Sequence, residues 1–214
     1  MEVKAVLSLL IVSALVLTGN GEANSTTEAV RDVEGHVVEA GIRYLIQPAV
    51  EGKGGGISMD FRRDNTSCFG GVIQLNSNIY MGLPVVFLPA DKDGIVRVST
   101  DLNIEFSIFY IQAENGCVSS FVWQLGPYDG VAKKYFITTG GAVGNPGPTT
   151  VRNWFKIAKQ GRDYSIFFCP SVCTFCKIFC QDVGVYNDSN VKRLALSDTN
   201  EPLKVRFKKA GLSL

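Results

Sequence analysis

From Val30 onward the apolar residues recur in short runs with a period of two, and no stretch holds them at helical spacing over three turns. The clearest run is Leu203 to Lys208, in which Leu203, Val205 and Phe207 fall on one face of an extended chain and Lys204, Arg206 and Lys208 on the other. This predicts a half-buried strand. Similar runs predict strands over Tyr44–Ile46, Val85–Leu88, Ile95–Val98, Leu102–Phe106, Phe121–Leu125, Tyr135–Thr138, Trp154–Ile157 and Tyr164–Phe168. Between them lie Gly54-Gly55-Gly56, Asp93-Gly94, Asp129-Gly130, Gly140-Gly141 and Gly144-Asn145-Pro146-Gly147-Pro148. Such clusters supply the positive or fixed φ that chain reversal requires. Many short strands with turns between them imply an all-β sandwich or barrel, and periodicity does not choose among the topologies.

The N-terminus reads differently. Lys4 precedes an apolar run from Ala5 to Leu17, followed by Thr18, Gly19, Gly21 and Ala23. The run is about thirteen residues, short of the roughly 20 that a membrane-spanning helix needs, and a small-residue site follows it. A secretory signal peptide over residues 1–23 is expected, with a single domain from 24 to 214 and no membrane contact after cleavage. Of the 214 residues, 46% are hydrophobic, enough to bury a sizeable core. With 21 basic against 20 acidic residues and a net charge of +1, the chain has no electrostatic footprint for nucleic acid, which is excluded as a partner.

Secretion changes how the cysteines are read. Cys169, Cys173, Cys176 and Cys180 have C-x3-C-x2-C-x3-C spacing, which suits a four-thiolate zinc site, a C-x-x-C redox pair or structural disulfides. An oxidising compartment favours disulfides, so no metal or other cofactor is expected. Pairing these four among themselves leaves Cys68 and Cys117 to each other, closing a loop of about 50 residues and constraining the unfolded chain by roughly 4 kcal/mol. Six cysteines allow fifteen pairings on spacing alone. Asn24, Asn65 and Asn187 begin N-glycosylation sequons, Asn65 being the best placed of them. His36 is the only histidine, and with every cysteine paired no nucleophile with a histidine base remains. No phosphate-binding glycine loop or calcium loop occurs either, and the chain is read as a non-enzyme.

Six blocks in order resemble the plant Kunitz-type (soybean trypsin inhibitor) family, and most closely its miraculin-like branch. They are Val30-Arg31-Asp32-Val33-Glu34-Gly35 with Gly41 to Ile46, Val98 to Phe106, Gly144 to Pro148, Trp154 to Ile157, Phe168 to Lys177, and Arg193 to Asp198. The resemblance implies a β-trefoil of twelve strands in three similar units, with Cys169 paired to Cys180 and, nested inside, Cys173 to Cys176. It also implies a secreted plant endopeptidase inhibitor, whose exposed loop enters a protease cleft in substrate-like form and is held rigid there. The matching loop spans Asp91, Lys92, Asp93, Gly94, Ile95, Val96, Arg97 and Val98.

Two departures from the family pattern bear on the target. An ungapped match of Val96-Arg97-Val98 puts Ile95 or Gly94 at the specificity position, where a trypsin pocket takes Arg or Lys; a shifted loop would put Lys92 or Arg97 there. Ala40 stands where strong inhibitors of the family carry an Asn that braces the loop. The expected partner is therefore an endopeptidase, with a serine protease ahead of a papain-like cysteine protease. The rival expectation is a trefoil that has become a binding, storage or defence protein without inhibition. With no seventh cysteine to link two chains, a monomer is expected, placed outside the cell, in the wall or in the vacuole.

Overall fold

The computed structural model describes residues 27–60, 70–108, 120–199 and 201–211. The signal segment, Asn24, Asn65, Cys68 and Cys117 lie outside the described residues. Twelve strands occur in the order β1 (Arg43–Pro48), β2 (Ile57–Asp60), β3 (Gly71–Gln74), β4 (Val85–Pro89), β5 (Leu102–Phe106), β6 (Gln124–Asp129), β7 (Lys134–Thr138), β8 (Lys156–Gln160), β9 (Asp163–Phe168), β10 (Gln181–Asp188), β11 (Val191–Leu196) and β12 (Val205–Lys209). Among the described residues the only helix is a 3-10 turn, Val151–Asn153, before β8.

The pairing repeats three times. Each unit of four strands sends a hairpin to a cap, β2–β3, β6–β7 or β10–β11, between two strands of a barrel wall. Within units the wall pairs β1 with β4 and β9 with β12. Between units it pairs β4 with β5, β8 with β9 and β12 with β1. The remaining contact is a two-way bridge just before β8, in which Leu102 and Phe155 exchange backbone bonds of 2.9 and 3.0 Å. This is a β-trefoil.

Alternation builds the core as the sequence pattern predicts. Along β12, Val205 and Phe207 are buried while Arg206 and Lys208 are exposed. Phe207 meets Phe87 edge-on at 5.2 Å and lies 5.5 Å from Tyr164, so the first and third units share one aromatic centre. Phe155 packs edge-on against Trp123 and Phe168 at 6.3 and 5.9 Å. Asn103 is fully buried, but its amide is paired: Nδ2 donates to the Asn153 carbonyl at 2.8 Å, and Oδ1 accepts the Gly144 N–H at 2.7 Å. The 144–153 loop is thereby tied to the wall. Glu105 of β5 has no such compensation, and its partial burial raises its pKa above the ordinary carboxylate value.

Some predicted strands move. Ile95–Val98 forms isolated bridges to two neighbouring segments and belongs to no strand. The Phe121 and Trp154 runs begin with single bridges and extended chain, their strands starting at Gln124 and Lys156. β2, β3, β10 and β11 were not predicted; glycines border or interrupt them at Gly54 to Gly56, Gly71 and Gly184. The β10–β11 hairpin turns through Ser189 and Asn190 at φ of 46° and 76°, the two-residue turn whose twist suits a tight hairpin. Asn187, at the end of β10, is exposed.

Candidate functional site

The stretch from Asp91 to Val98 divides into an exposed turn and a clamped return. Its base is closed where the Ala90 N–H donates to the Asp101 carbonyl at 2.9 Å. Asp91, Lys92, Asp93 and Gly94 are all exposed. They fold into a tight turn: Lys92 has φ of 57° and Gly94 of 77°, and the Asp93 N–H donates to Asp91 Oδ1 at 3.2 Å. Lys92 is the one cation on this exposed turn.

From Ile95 the chain is held on both sides. Ile95 bridges Glu39. The Val96 N–H donates to Val38 O and Val96 O accepts from the Val30 N–H, both at 2.9 Å, and the Val98 N–H donates to Glu28 O. Val30, Val38 and Val96 are fully buried, so this triple layer caps one end of the core. Ile95, Arg97 and Val98 are half-buried. Arg97 ties the return to the turn, its guanidinium reaching Asp93 Oδ2 at 2.8 Å through Nη2 and donating to Thr27 O at 3.0 Å through Nη1. That engagement gives Arg97 a positioning role, holding Asp93 beside Lys92. Ala40 supports the turn by its backbone alone, its N–H donating to Gly94 O at 2.9 Å. His36 stands on the neighbouring 32–36 turn, its imidazole exposed, where Asp32 Oδ1 accepts the N–H groups of Glu34 and His36.

A second exposed feature is the segment between β9 and β10. Disulfides join Cys169 to Cys180 and, inside that loop, Cys173 to Cys176, with Cα atoms 4.4 and 5.5 Å apart. At its tip Phe175 is 81% exposed, an aromatic that the sequence pattern alone did not mark as surface. The loop is fastened to the base of the 90–101 excursion. Ser171 donates its N–H to both Asp101 carboxylate oxygens at 3.1 Å and its hydroxyl to the same carboxylate. Lys156 Nζ donates to Ser171 Oγ at 3.0 Å and lies 3.8 Å from Asp101 Oδ1, with both charged side chains largely buried. These three residues are 15 to 70 positions apart, and no local motif announces them.

Among the described residues no group of three or more His, Cys, Asp or Glu is placed to hold a metal, and the four late cysteines are spent in disulfides. What the site offers on its exposed side is a cation on a turn whose two ends are fixed by backbone pairing, an arrangement suited to recognition.

Comparison with known proteins agrees with that kind of chemistry. A family model for the legume Kunitz group, described as trypsin and protease inhibitor, matches residues 30–209. The chain is 44% identical over 207 residues to Kunitz trypsin inhibitor 5 of Arabidopsis thaliana, covering 95% of this chain and 98% of that one. It is 39% identical over 215 residues to miraculin of Synsepalum dulcificum, covering 95% and 94% respectively. Among solved structures, a Kunitz-type cysteine protease inhibitor from potato superposes with a TM-score of 0.71 at 28% identity, covering 88% of this chain and all of that one.

Proposed function

Because the chain belongs to the Kunitz family of trypsin and protease inhibitors, whose members are inhibitors and not enzymes, we propose that it is a secreted inhibitor that blocks an endopeptidase by presenting its 91–94 turn to the active-site cleft. In this reading Lys92 enters the specificity pocket, which makes the preferred target a serine protease of trypsin-like selectivity. The observation that carries it is the exposure of Lys92 on a turn anchored at Ala90 and Gly94, while Ile95 is bridged and Arg97 is engaged with Asp93 and Thr27. Anchored ends lower the entropy lost on binding.

The turn is bent, whereas a protease cleft takes extended backbone, so docking includes straightening it. That step costs little. It gives up the 3.2 Å bond from Asp93 to Asp91 and a 3.4 Å contact from the Lys92 N–H to Pro89 O, worth about 1 kcal/mol each at most, and moving Asp93 loosens its ion pair with Arg97, worth about 0–1 kcal/mol. Leaving the left-handed region at Lys92 returns about 1–2 kcal/mol. Secretion through the N-terminal segment, with the late disulfides and the exposed Asn187 sequon in keeping with that route, belongs to the same reading.

Substituting Lys92 and Ile95 separately tests it. Lys92→Ala should weaken trypsin inhibition by roughly 30-fold or more, as loss of an anchor residue worth 2 kcal/mol or more does. Ile95→Ala should change it by less than about threefold. If Ile95→Ala carries the loss and Lys92→Ala does not, the assignment of the pocket residue fails. A second reading, a trefoil that binds or stores without inhibiting, is favoured by Ala40, which contributes no side-chain brace. It predicts that neither substitution matters because there is no inhibition to lose.

A further inference from the structure

Away from the 91–94 turn, a cavity of about 680 Å3 opens between the segment after β1, the β3 and β10–β11 strands and the segment leading into β12. Its volume is within the range of small-molecule sites. Val50, Val185 and Leu203 give it apolar wall, and Gln74 of β3 lines it as well. Gln74 is 3% exposed, yet its Nε2 has no hydrogen-bond partner. A buried donor left without an acceptor is destabilising, and a ligand oxygen would relieve that. The direction in which the Gln74 side chain leaves the sheet is fixed, because its backbone is paired with Ile57 on one side and Lys192 on the other. Gly54 also bears on it: a Cβ there would come within 2.9 Å of Nε2, so only a residue without a side chain lets the amide sit where it does.

The rim is cationic. Lys53, Lys192 and Lys204 line the cavity against one carboxylate, that of Glu201. Lys192 Nζ donates to Lys53 O at 3.0 Å, which fixes one ammonium at the mouth, and Lys204 is exposed. An apolar wall, a starved amide donor and an excess of positive charge together describe one class of ligand. We propose that this cavity binds a small organic anion: a carboxylate facing the lysines, an apolar or aromatic body against Val50, Val185 and Leu203, and a second oxygen accepting from Gln74 Nε2.

Calorimetric titration of the mature protein with 6-hydroxy-2-naphthoate tests this, with 2-naphthoate and 2-naphthol as the probes lacking one oxygen group each. Saturable one-to-one binding is expected, weakened about fivefold or more by Lys204→Ala and tenfold or more by Gln74→Leu. Because Gln74→Leu removes an unpaired buried donor at similar volume, that variant should unfold no more readily than the parent, which separates lost binding from lost folding. 2-Naphthol should bind more weakly than 2-naphthoate. The proposal is overturned by absence of saturable binding at millimolar probe, or by binding that neither substitution alters. Protease inhibition is measured alongside; the cavity's lining shares no residue with the 91–98 loop, so its result stands whichever way the inhibitor reading falls.

Discussion

Removing the Asp101 carboxylate should destabilise the fold far more than loss of a surface ion pair. Asp101 accepts three hydrogen bonds from Ser171 and faces the Lys156 ammonium at 3.8 Å, with side-chain exposures of 9% for Asp101 and 13% for Lys156. Exposed pairs contribute about 0–1 kcal/mol. Here the Asp101→Ala change strips the Ser171 N–H of its acceptor and leaves a largely buried ammonium without its anion. Hydrogen bonds to charged groups contribute about 1.5–3 kcal/mol, and breaking a buried pair from one side costs about 3–5 kcal/mol. Because these overlap and some solvent reaches the site, a total of about 2–4 kcal/mol is expected. In urea, with a slope of roughly 2 kcal/mol/M for a domain of this size, that lowers the unfolding midpoint by about 1–2 M. Ser171→Ala alone should cost about 1 kcal/mol, and the double variant should show coupling of about 1 kcal/mol or more. The same substitutions free the disulfide-stapled loop from the base of the 90–101 excursion, so limited proteolysis under native conditions should cut the variants faster. An unfolding free energy for Asp101→Ala within about 0.5 kcal/mol of the parent's would show that the cluster is an ordinary surface contact.

Two further outcomes follow from the core and from Glu105. Phe207→Ala, which removes a fully buried ring packed against Phe87 and Tyr164, should cost about 3–5 kcal/mol in the same denaturation assay. Glu105 has its pKa raised by burial, so the native state holds its proton more tightly than the unfolded chain. Its contribution to stability is therefore largest at low pH and declines as pH rises through the native-state pKa. Glu105→Gln should raise the melting temperature at pH 7 and make no difference at pH 3; a variant less stable at pH 7 would contradict the burial argument.

The legible parts of this fold were those in which one residue's burial follows from its neighbours' polarity. Leu102–Phe106 and Tyr164–Phe168 are strong β-formers bounded by turns, and they became β5 and most of β9. Val205 and Phe207 alternate with cations and are buried as that alternation requires. The Ile95–Val98 run has equally good composition but is paired by the 28–30 and 38–39 segments, and a local pattern cannot know which partners arrive. For the same reason its apolar content disguised where the exposed turn ends, and the split at Gly94 appears only once the Val96 backbone is seen bonded on both sides. Lys92 was one of several candidates by residue type, and exposure separates it from Arg97. β2 and β3 escaped notice because four-residue strands beside glycines carry little periodicity. The Asp101, Ser171 and Lys156 cluster and the starved amide of Gln74 are products of tertiary pairing, for which a single sequence holds no signal.

Titration of the purified mature protein against trypsin, chymotrypsin, elastase, subtilisin and papain, with sequencing of any slowly cleaved product, tests the central claim most directly. The account predicts tight inhibition of trypsin and a slow nick on the carboxyl side of Lys92. Inhibition with a nick at another bond, or no inhibition of any of the five, would contradict it.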